Sequence, residues 1–413
     1  MSGAREQLIE LYRAAVAGAD VESLTANAVA SVLQERRRRV WLFAFGKAAN
    51  GMAAAAFTAL KRGLAEVAGG IVVAPEAGDP PSGAITSLAG DHPVPQSRSF
   101  EAAARIGRIL TQKRGGDLGV VLLSGGTSSL IGAPLRGMRE ADYTQMCELL
   151  LGSGLDIDRM NAVRKRFSCW GAGRMALALA PARTHCFAVS DVPSNDLASI
   201  GSGPCVADPT NVRTIIELLE SSKLHAKVPP AFRQYLAEVA NGTIPETPKA
   251  THPAFAHVDA RVIANNTVAL NAAAATARRA GFVTVVGEAP LTGDASAAGV
   301  KLAAQLIEAS EQSPPGVTQC FVWGGETTVT VNGSAPPGGR CQELALAAAQ
   351  RLAGSDDRAL GVTLLAAGTD GRDGSTDAAG AIVDATTWRR IQESGRDPAT
   401  ALRDHDSHAA LAA

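Results

Sequence analysis

Six clusters of small polar residues, most of them rich in glycine, each follow a short apolar run and hold most of the side chains that could do chemistry. In the first, Phe45-Gly46-Lys47-Ala48-Ala49, the glycine lets the backbone approach a ligand, the helix start favours an anion and Lys47 adds a full positive charge. It is not a Walker A loop, which needs Ser or Thr where Ala48 stands. A solvated turn lysine fits the same spacing. The second, Ser124-Gly125-Gly126-Thr127-Ser128-Ser129, offers consecutive N–H donors and several hydroxyls, a cradle for a carboxylate or phosphate where a single Ser or Thr would have sufficed as a helix cap. The third, Ser190-Asp191-Val192-Pro193-Ser194-Asn195-Asp196, presents two carboxylates and the Asn195 amide, hard oxygen ligands suited to Mg2+. An aspartate such as Asp191 can also take a proton from a substrate hydroxyl, although an Asx turn accounts for the run nearly as well.

Asn265-Asn266 forms the fourth cluster and Gly324-Gly325-Glu326-Thr327-Thr328 the fifth. The sixth, Gly368-Thr369-Asp370-Gly371-Arg372-Asp373-Gly374, continues to Asp377 and packs three carboxylates among small residues, which suits a metal or nucleotide or a glycine-rich Asx turn. EF-hand spacing is absent. Separately, Pro337-Gly338-Gly339-Arg340-Cys341-Gln342-Glu343 puts Arg340 at a helix start, against the helix dipole unless an anion offsets it. A solvated arginine at a loop end is the alternative. His92, in Gly90-Asp91-His92-Pro93-Val94-Pro95, reads as a turn residue rather than a base. Gly171-Ala172-Gly173-Arg174-Met175-Ala176 matches the dinucleotide pattern letter for letter, but it follows a helical, basic stretch rather than a strand, which excludes it as an NAD site.

The elements that must position these residues alternate along the chain. Short apolar runs interleaved with Ala-rich or amphipathic helical segments predict an α/β fold with a parallel sheet covered on both faces. Strands are expected at Val40–Phe45, Gly70–Ala74, Leu118–Leu123, His185–Val189, Val262–Ala264, Val283–Val286, Gln319–Trp323 and Val362–Ala366. Three prolines and an Asn-Gly turn interrupt the pattern after Asn241, predicting domains over 1–240 and 261–413 with 241–260 as linker. Ligands bind at the carboxyl ends of parallel strands, so the clusters, three per half, predict two facing site edges.

Composition limits the remaining classes. A chain of 413 residues suits two or three domains, and 46% hydrophobic with 19% charged residues excludes global disorder. Net charge is −1 and the one basic run, Arg36–Arg39, reads as the solvated end of a helix entering a strand, which predicts no nucleic-acid partner. The six cysteines are dispersed without a CxxC pair, against a zinc site or disulfide framework and for a reducing compartment. Arg5, Glu6 and Glu10 interrupt any signal-peptide core, and Ala48–Leu60 is too short to span a bilayer. A cytoplasmic protein without membrane contact is expected.

Taken together, AFGKAANGMA, GDHPVP, LLSGGTSSL, DIDRMNAVRKR, SDVPSNDLASIGSGPCVADPT, GGETTVTV, PGGRCQELAL and AAGTDGRDGSTDAAGA resemble the class II glycerate 2-kinases, or MOFRL family, in the same order from about Lys47 to Asp384. Many members carry the older name hydroxypyruvate reductase. The resemblance implies a Rossmann-like three-layer N-terminal domain, a smaller α/β C-terminal domain and a cleft between them where ATP, Mg2+ and D-glycerate meet and 2-phospho-D-glycerate forms. It makes the lysine of the FGKA loop and the arginine of the GGR-x-QE loop, here Lys47 and Arg340, active-site residues. On that basis both neutralise the transferring phosphoryl group and hold the glycerate carboxylate. Ser124, Gly125, Gly126, Thr127 and Ser128 bind anionic oxygens through N–H groups, and Asp191 orients or deprotonates the C2 hydroxyl. Asn195, Gly325, Glu326, Thr369 and Asp370 contact substrate or nucleotide, and Asp370 and Asp373 help hold Mg2+. Family members continue past the segment matching Asp404–Leu411 into a last strand and a TGPTGTN-like loop, so this sequence is expected to lack that strand. Two other functions stand beside the kinase. An NAD(P)H-dependent hydroxypyruvate reductase lacks its strand-linked fingerprint here, and a non-catalytic small-molecule sensor would not need Lys47, Arg340 and the acids together. Oligomeric state, a homodimer included, stays open.

Overall fold

The computed structural model describes residues 2–33, 39–192, 194–331 and 336–412; Arg36–Arg38 of the basic run and Pro193 lie outside them. The chain divides into two compact units, Val21–Asn265 and a smaller one assembled from Met1–Asp20 and Asn266–Ala413. Helix α1 (Ser2–Gly18) belongs to the smaller unit. The larger then runs α2 (Val21–Val32), β1 (Arg39–Phe45), α3 (Ala49–Arg62), β2 (Glu66–Ala74), β3 (Ile85–Ala89), α4 (Ser97–Leu110), β4 (Leu118–Leu123), α5 (Thr127–Leu130), α6 (Glu140–Leu151), α7 (Ile157–Phe167), α8 (Arg174–Leu179), β5 (Arg183–Val189), α9 (Val212–Ser221), α10 (Pro230–Ala240) and β6 (Val258–Ala264).

Its six strands pair in the order β3-β2-β1-β4-β5-β6, all parallel. Val40–Phe45 and the whole of β4 are buried, as unbroken apolar runs at the centre of a sheet covered on both faces must be. Side chains alternate across β1. Trp41, Phe43 and Phe45 enter one core with Ala102, Ile106 and Ile109 of α4, while Leu42 and Ala44 enter the other with Ala49, Met52, Ala53 and Ala56 of α3. Helices α6, α7, α9 and α10 enclose a third cluster, in which the Phe167 and Phe232 rings meet edge to face at 4.6 Å. The strand order reverses between β1 and β4, the kind of switch point where open α/β sheets bind ligands.

The smaller unit continues α11 (Asn266–Arg279), β7 (Val283–Val286), α12 (Ala295–Gln312), β8 (Gln319–Val322), α13 (Arg340–Ala353), β9 (Thr363–Ala367), β10 (Gly380–Asp384), α14 (Thr387–Glu393), α15 (Pro398–Arg403) and α16 (Ser407–Leu411). β7 and β8 are parallel, whereas β9 and β10 pair antiparallel, which the expectation of a parallel sheet did not include. Alanines and Gly299 bring α12 against α13, and a Cβ on Gly299 would strike the Leu344 carbonyl. α1 lies on α11, where Gly18 leaves no room for a side chain beside Ala272.

Every expected strand is present within a few residues, and β3 and β10 are additional. The domain boundary differs. Residues 258–264 form the sixth strand of the larger sheet, and Thr247 and Lys249 hydrogen-bond Asp208 of the same unit at 2.8 and 3.1 Å, so 241–260 belongs to that unit instead of linking two. A break in periodicity marks a loop; it does not say with which sheet the next strand pairs. All six cysteines are unpaired. Among the described residues no helix is long and apolar enough to cross a membrane.

Candidate active site

In the larger unit the site grows from the switch point. β1 and β4 are neighbours, so the turns leaving their carboxyl ends meet. The Ser124 N–H donates to the Phe45 carbonyl at 2.9 Å and the Lys47 N–H to the Gly125 carbonyl at 2.8 Å. Side chains brace the same turns. The Thr127 hydroxyl bonds to the Phe45 and Ser124 carbonyls (2.8 and 2.7 Å), and the Ser124 hydroxyl accepts from the Ala48 N–H at 3.1 Å. Gly46, at φ +119°, faces Ser124 too closely for any Cβ. These bonds correct part of the expectation, because the N–H groups of Ser124 and Thr127 are spent on the Phe45 and Ser124 carbonyls. Among the described residues the N–H groups of Gly125, Gly126 and Ser128 donate to no backbone carbonyl, which leaves them as the donors for an anion.

Around this cradle stand three ionisable side chains. Asp191 is exposed and its carboxylate lies against Gly125, where a Cβ would collide with it. Lys47 is exposed and its stem passes Gly126, 3.5 Å from where a Cβ would stand; the His92 ring comes within 3.1 Å of the same point. Burial, then the charges of Lys47 and Arg164, hold the His92 imidazole below its usual pKa. His92 was set aside as a turn residue, and its proximity to Gly126 is a tertiary fact that the sequence around it does not carry. Asn195 occupies a left-handed turn at φ +52°, a conformation Asn tolerates, with its N–H on the Val192 carbonyl at 3.0 Å.

In the smaller unit, Glu326, Arg340 and Asp370 are exposed. Gly325 serves packing: at φ +145° it approaches the Leu291 backbone, and the Glu326 N–H bonds to the Leu291 carbonyl at 2.9 Å. Arg340 opens α13, and the anion its position demands is the Glu326 carboxylate, 2.7 Å from its NH1. Both side chains are largely solvated, 45% and 66% exposed; such pairs contribute only about 0–1 kcal/mol, so a phosphate oxygen could replace the glutamate. Thr369 and Asp370 are exposed in one turn, where Asp370 Oδ1 accepts the Arg372 N–H at 3.2 Å. Tyr12, from α1, donates its hydroxyl to the Gly368 carbonyl at 2.8 Å across 356 positions of sequence, a link no local pattern signals.

Asp373 departs from its expected role. It is 2% exposed, its Oδ1 accepts the Cys341 N–H at 3.0 Å, and its Oδ2 accepts the Gln342 N–H and side-chain amide at 2.8 and 3.1 Å. It caps α13 rather than holding Mg2+. Among the described residues no three His, Cys, Asp or Glu side chains converge on a metal. Mg2+ often takes one or two carboxylates with phosphate oxygens and water, and Asp370 fits that pattern, not a protein cage.

Residues 7–237 match the domain of unknown function DUF4147, and residues 319–413 match the MOFRL family. The glycerate 2-kinase of Pyrococcus horikoshii is 35% identical over 381 residues, covering 91% of this chain and 83% of that protein. The crystal structure of a glycerate kinase from Thermotoga maritima superposes with a TM-score of 0.86 at 31% identity, over 100% of this chain and 94% of that one. The chain belongs to the class II glycerate 2-kinase (MOFRL) family. A relative from Agrobacterium vitis, 36% identical over 99% of this chain and 90% of its own length, is named for hydroxypyruvate reduction.

The run from Gly339 to Glu343 and the loop after β9 hold each other. Gln342 bonds Asp373 and Thr376, Glu343 accepts from the Ser296 hydroxyl and faces His405 Nδ1, each at 3.0 Å, and Gly339 leaves room for Asp373 where a Cβ would collide. The GAGRMA run is also internal. The Arg174 guanidinium donates to the carbonyls of Lys165, Arg166 and Ser168 at 3.0–3.1 Å, so this stretch clamps backbone after a helix and offers no dinucleotide turn.

Proposed function

We propose that this chain phosphorylates D-glycerate at its C2 hydroxyl with ATP as donor, giving 2-phospho-D-glycerate and ADP. The observation that carries this reading is the pair of turns at the β1/β4 switch point, where Lys47, Asp191 and three unspent N–H donors surround one cradle. It is supported by kinship with a glycerate 2-kinase over 91% of the chain. ATP with its Mg2+ supplies the activated phosphoryl group, and the protein's work is positioning and charge neutralisation. The C2 oxygen bonds to the γ-phosphorus as the bond to the bridging oxygen breaks. The hydroxyl proton passes to Asp191, and Lys47 with the N–H groups of Gly125, Gly126 and Ser128 stabilises anionic oxygens. In the smaller unit, Arg340 would exchange Glu326 for phosphate oxygens and Asp370 would supply one carboxylate to hold Mg2+. The substrates are small molecules, and the reaction suits the cytoplasm.

Reduction of hydroxypyruvate is disfavoured because the turn after β1 reads Gly46-Lys47-Ala48-Ala49-Asn50-Gly51, with Ala48 where the dinucleotide fingerprint needs the middle glycine that admits a pyrophosphate. The deciding experiment incubates purified protein with D-glycerate, ATP and Mg2+ and follows products by phosphorus NMR. The expected product is 2-phosphoglycerate, formed only with Mg2+. Exclusive 3-phosphoglycerate would overturn the site of attack, and NADH oxidation with hydroxypyruvate, indifferent to ATP, would overturn the kinase.

A further inference from the structure

Three successive basic residues of α7 meet different fates. Lys165 Nζ lies 3.0 Å from Asp208 Oδ1, and Arg166 lies 3.6 Å from Asp208 Oδ2 and pairs with Glu246. Both are buried, and their charges are matched. Burial opposes ionisation of Asp208, yet Lys165 and the Thr247 and Thr210 hydroxyls hold its carboxyl below the usual range. Arg164 has no ion pair with any described carboxylate. Its NH2 donates to the neutral Asn161 Oδ1 at 2.5 Å, and its Nε is buried without a partner among the described residues. A half-buried guanidinium without a counter-anion is costly, and a ligand anion would relieve that cost.

Its position says which ligand. Asn161 donates to the Ser199 carbonyl at 3.3 Å and Lys165 to the Ala198 carbonyl at 3.4 Å, seating α7 on the segment 198–202. From that segment the Ser202 hydroxyl meets Ser128 at 2.7 Å, and Gly201 lies directly against Thr127. Arg164 is thus tied to the cradle through Asn161 and the segment 198–202, and Lys47 and His92 flank Gly126 within it. The charges of Arg164 and Lys47 both reach His92. Lys47 likewise has no ion pair with a described carboxylate.

We infer that Arg164 binds the carboxylate of the hydroxy-acid acceptor and thereby selects a carboxylate-bearing substrate over a neutral polyol. The planar guanidinium matches a carboxylate through two parallel hydrogen bonds, which a primary ammonium cannot reproduce. This inference rests on glycerate being the acceptor.

The test is calorimetric titration of the whole protein with D-glycerate alone and with ADP alone, repeated for Arg164→Gln and Arg164→Lys, with turnover on glycerate and glycerol measured beside it. Arg164→Gln is expected to weaken glycerate binding by about 10- to 100-fold, with Arg164→Lys intermediate. ADP affinity stays unchanged, and the preference for glycerate over glycerol falls by the same factor. If Arg164→Gln fails to fold, Arg164→Lys, which keeps the charge and loses the planar fork, carries the test and is expected to weaken glycerate binding by a smaller factor without changing ADP affinity. Unaltered glycerate affinity in the variants, or loss of ADP binding instead, overturns the inference. Wild-type protein that binds glycerate without phosphorylating it rejects the kinase reading, and the titrations still decide Arg164; wild-type protein that binds no glycerate rejects both.

Discussion

Lys47 and Arg340 each stand beside the start of a helix, where a positive side chain opposes the dipole and gains little from the fold. Lys47 is exposed without an ion pair to a described carboxylate, and Arg340 has only the solvated Glu326. Removing either is therefore expected to leave the thermal midpoint nearly unchanged while lowering kcat by about 100-fold or more, the usual effect of losing a charge-stabilising contact. Lys47→Ala and Arg340→Ala, assayed for turnover and melting, check this. Near-normal kcat in both would remove them from the site. The position of Lys47 in the turn after a buried strand was legible, whereas its spacing alone fits a solvated lysine equally well and its proposed role comes from the family resemblance. The role of Asp373 was not legible, since an aspartate among glycines reads as a ligand whether it faces water or a helix end 31 positions away. Arg164 was hidden inside a run of basic residues, two of which are structural.

Helix α13 shows how an element can depend on a distant loop. Its N-cap position is Gly339, which has no side chain to offer, so the first N–H groups go to Asp373. Asp373→Ala removes the cap and leaves buried donors on Gln342 unsatisfied, with an expected loss of about 2–4 kcal/mol from the smaller unit and no change in Mg2+ requirement. Denaturant unfolding and a Mg2+ titration of activity measure the two effects. Preserved stability with a raised Mg2+ requirement would return Asp373 to the metal. The central strands were legible as unbroken buried apolar runs. β3 escaped because Thr86 and Ser87 dilute its pattern at a half-buried sheet edge, and β10 because Gly380 and Asp384 bound a short strand that looks like more loop.

At the scale of the whole molecule, alternating periodicity showed the α/β class, but strand order and unit membership depend on long-range pairing. The sixth strand and α1 are the two elements assigned to the wrong unit. α1 is held by Tyr12 on the Gly368 carbonyl and by the close fit of Gly18 on Ala272. Deleting residues 2–18 should therefore speed hydrogen exchange in α11 and in the loop after β9 while leaving β1 and β4 protected. Equal loss of protection in all four would contradict the division. The same division has a consequence during synthesis. α1 leaves the ribosome before its partner α11, which follows about 250 residues later, roughly 12–50 s at ordinary elongation rates of about 5–20 residues per second. The contiguous stretch Val21–Asn265 can close in that interval, while Leu11, buried in the finished protein, waits in solvent for a surface not yet made. A nascent chain that has emerged from the ribosome through Asn265 would thus carry a folded larger unit with α1 still unclaimed, a specific target for chaperones that bind exposed apolar helices.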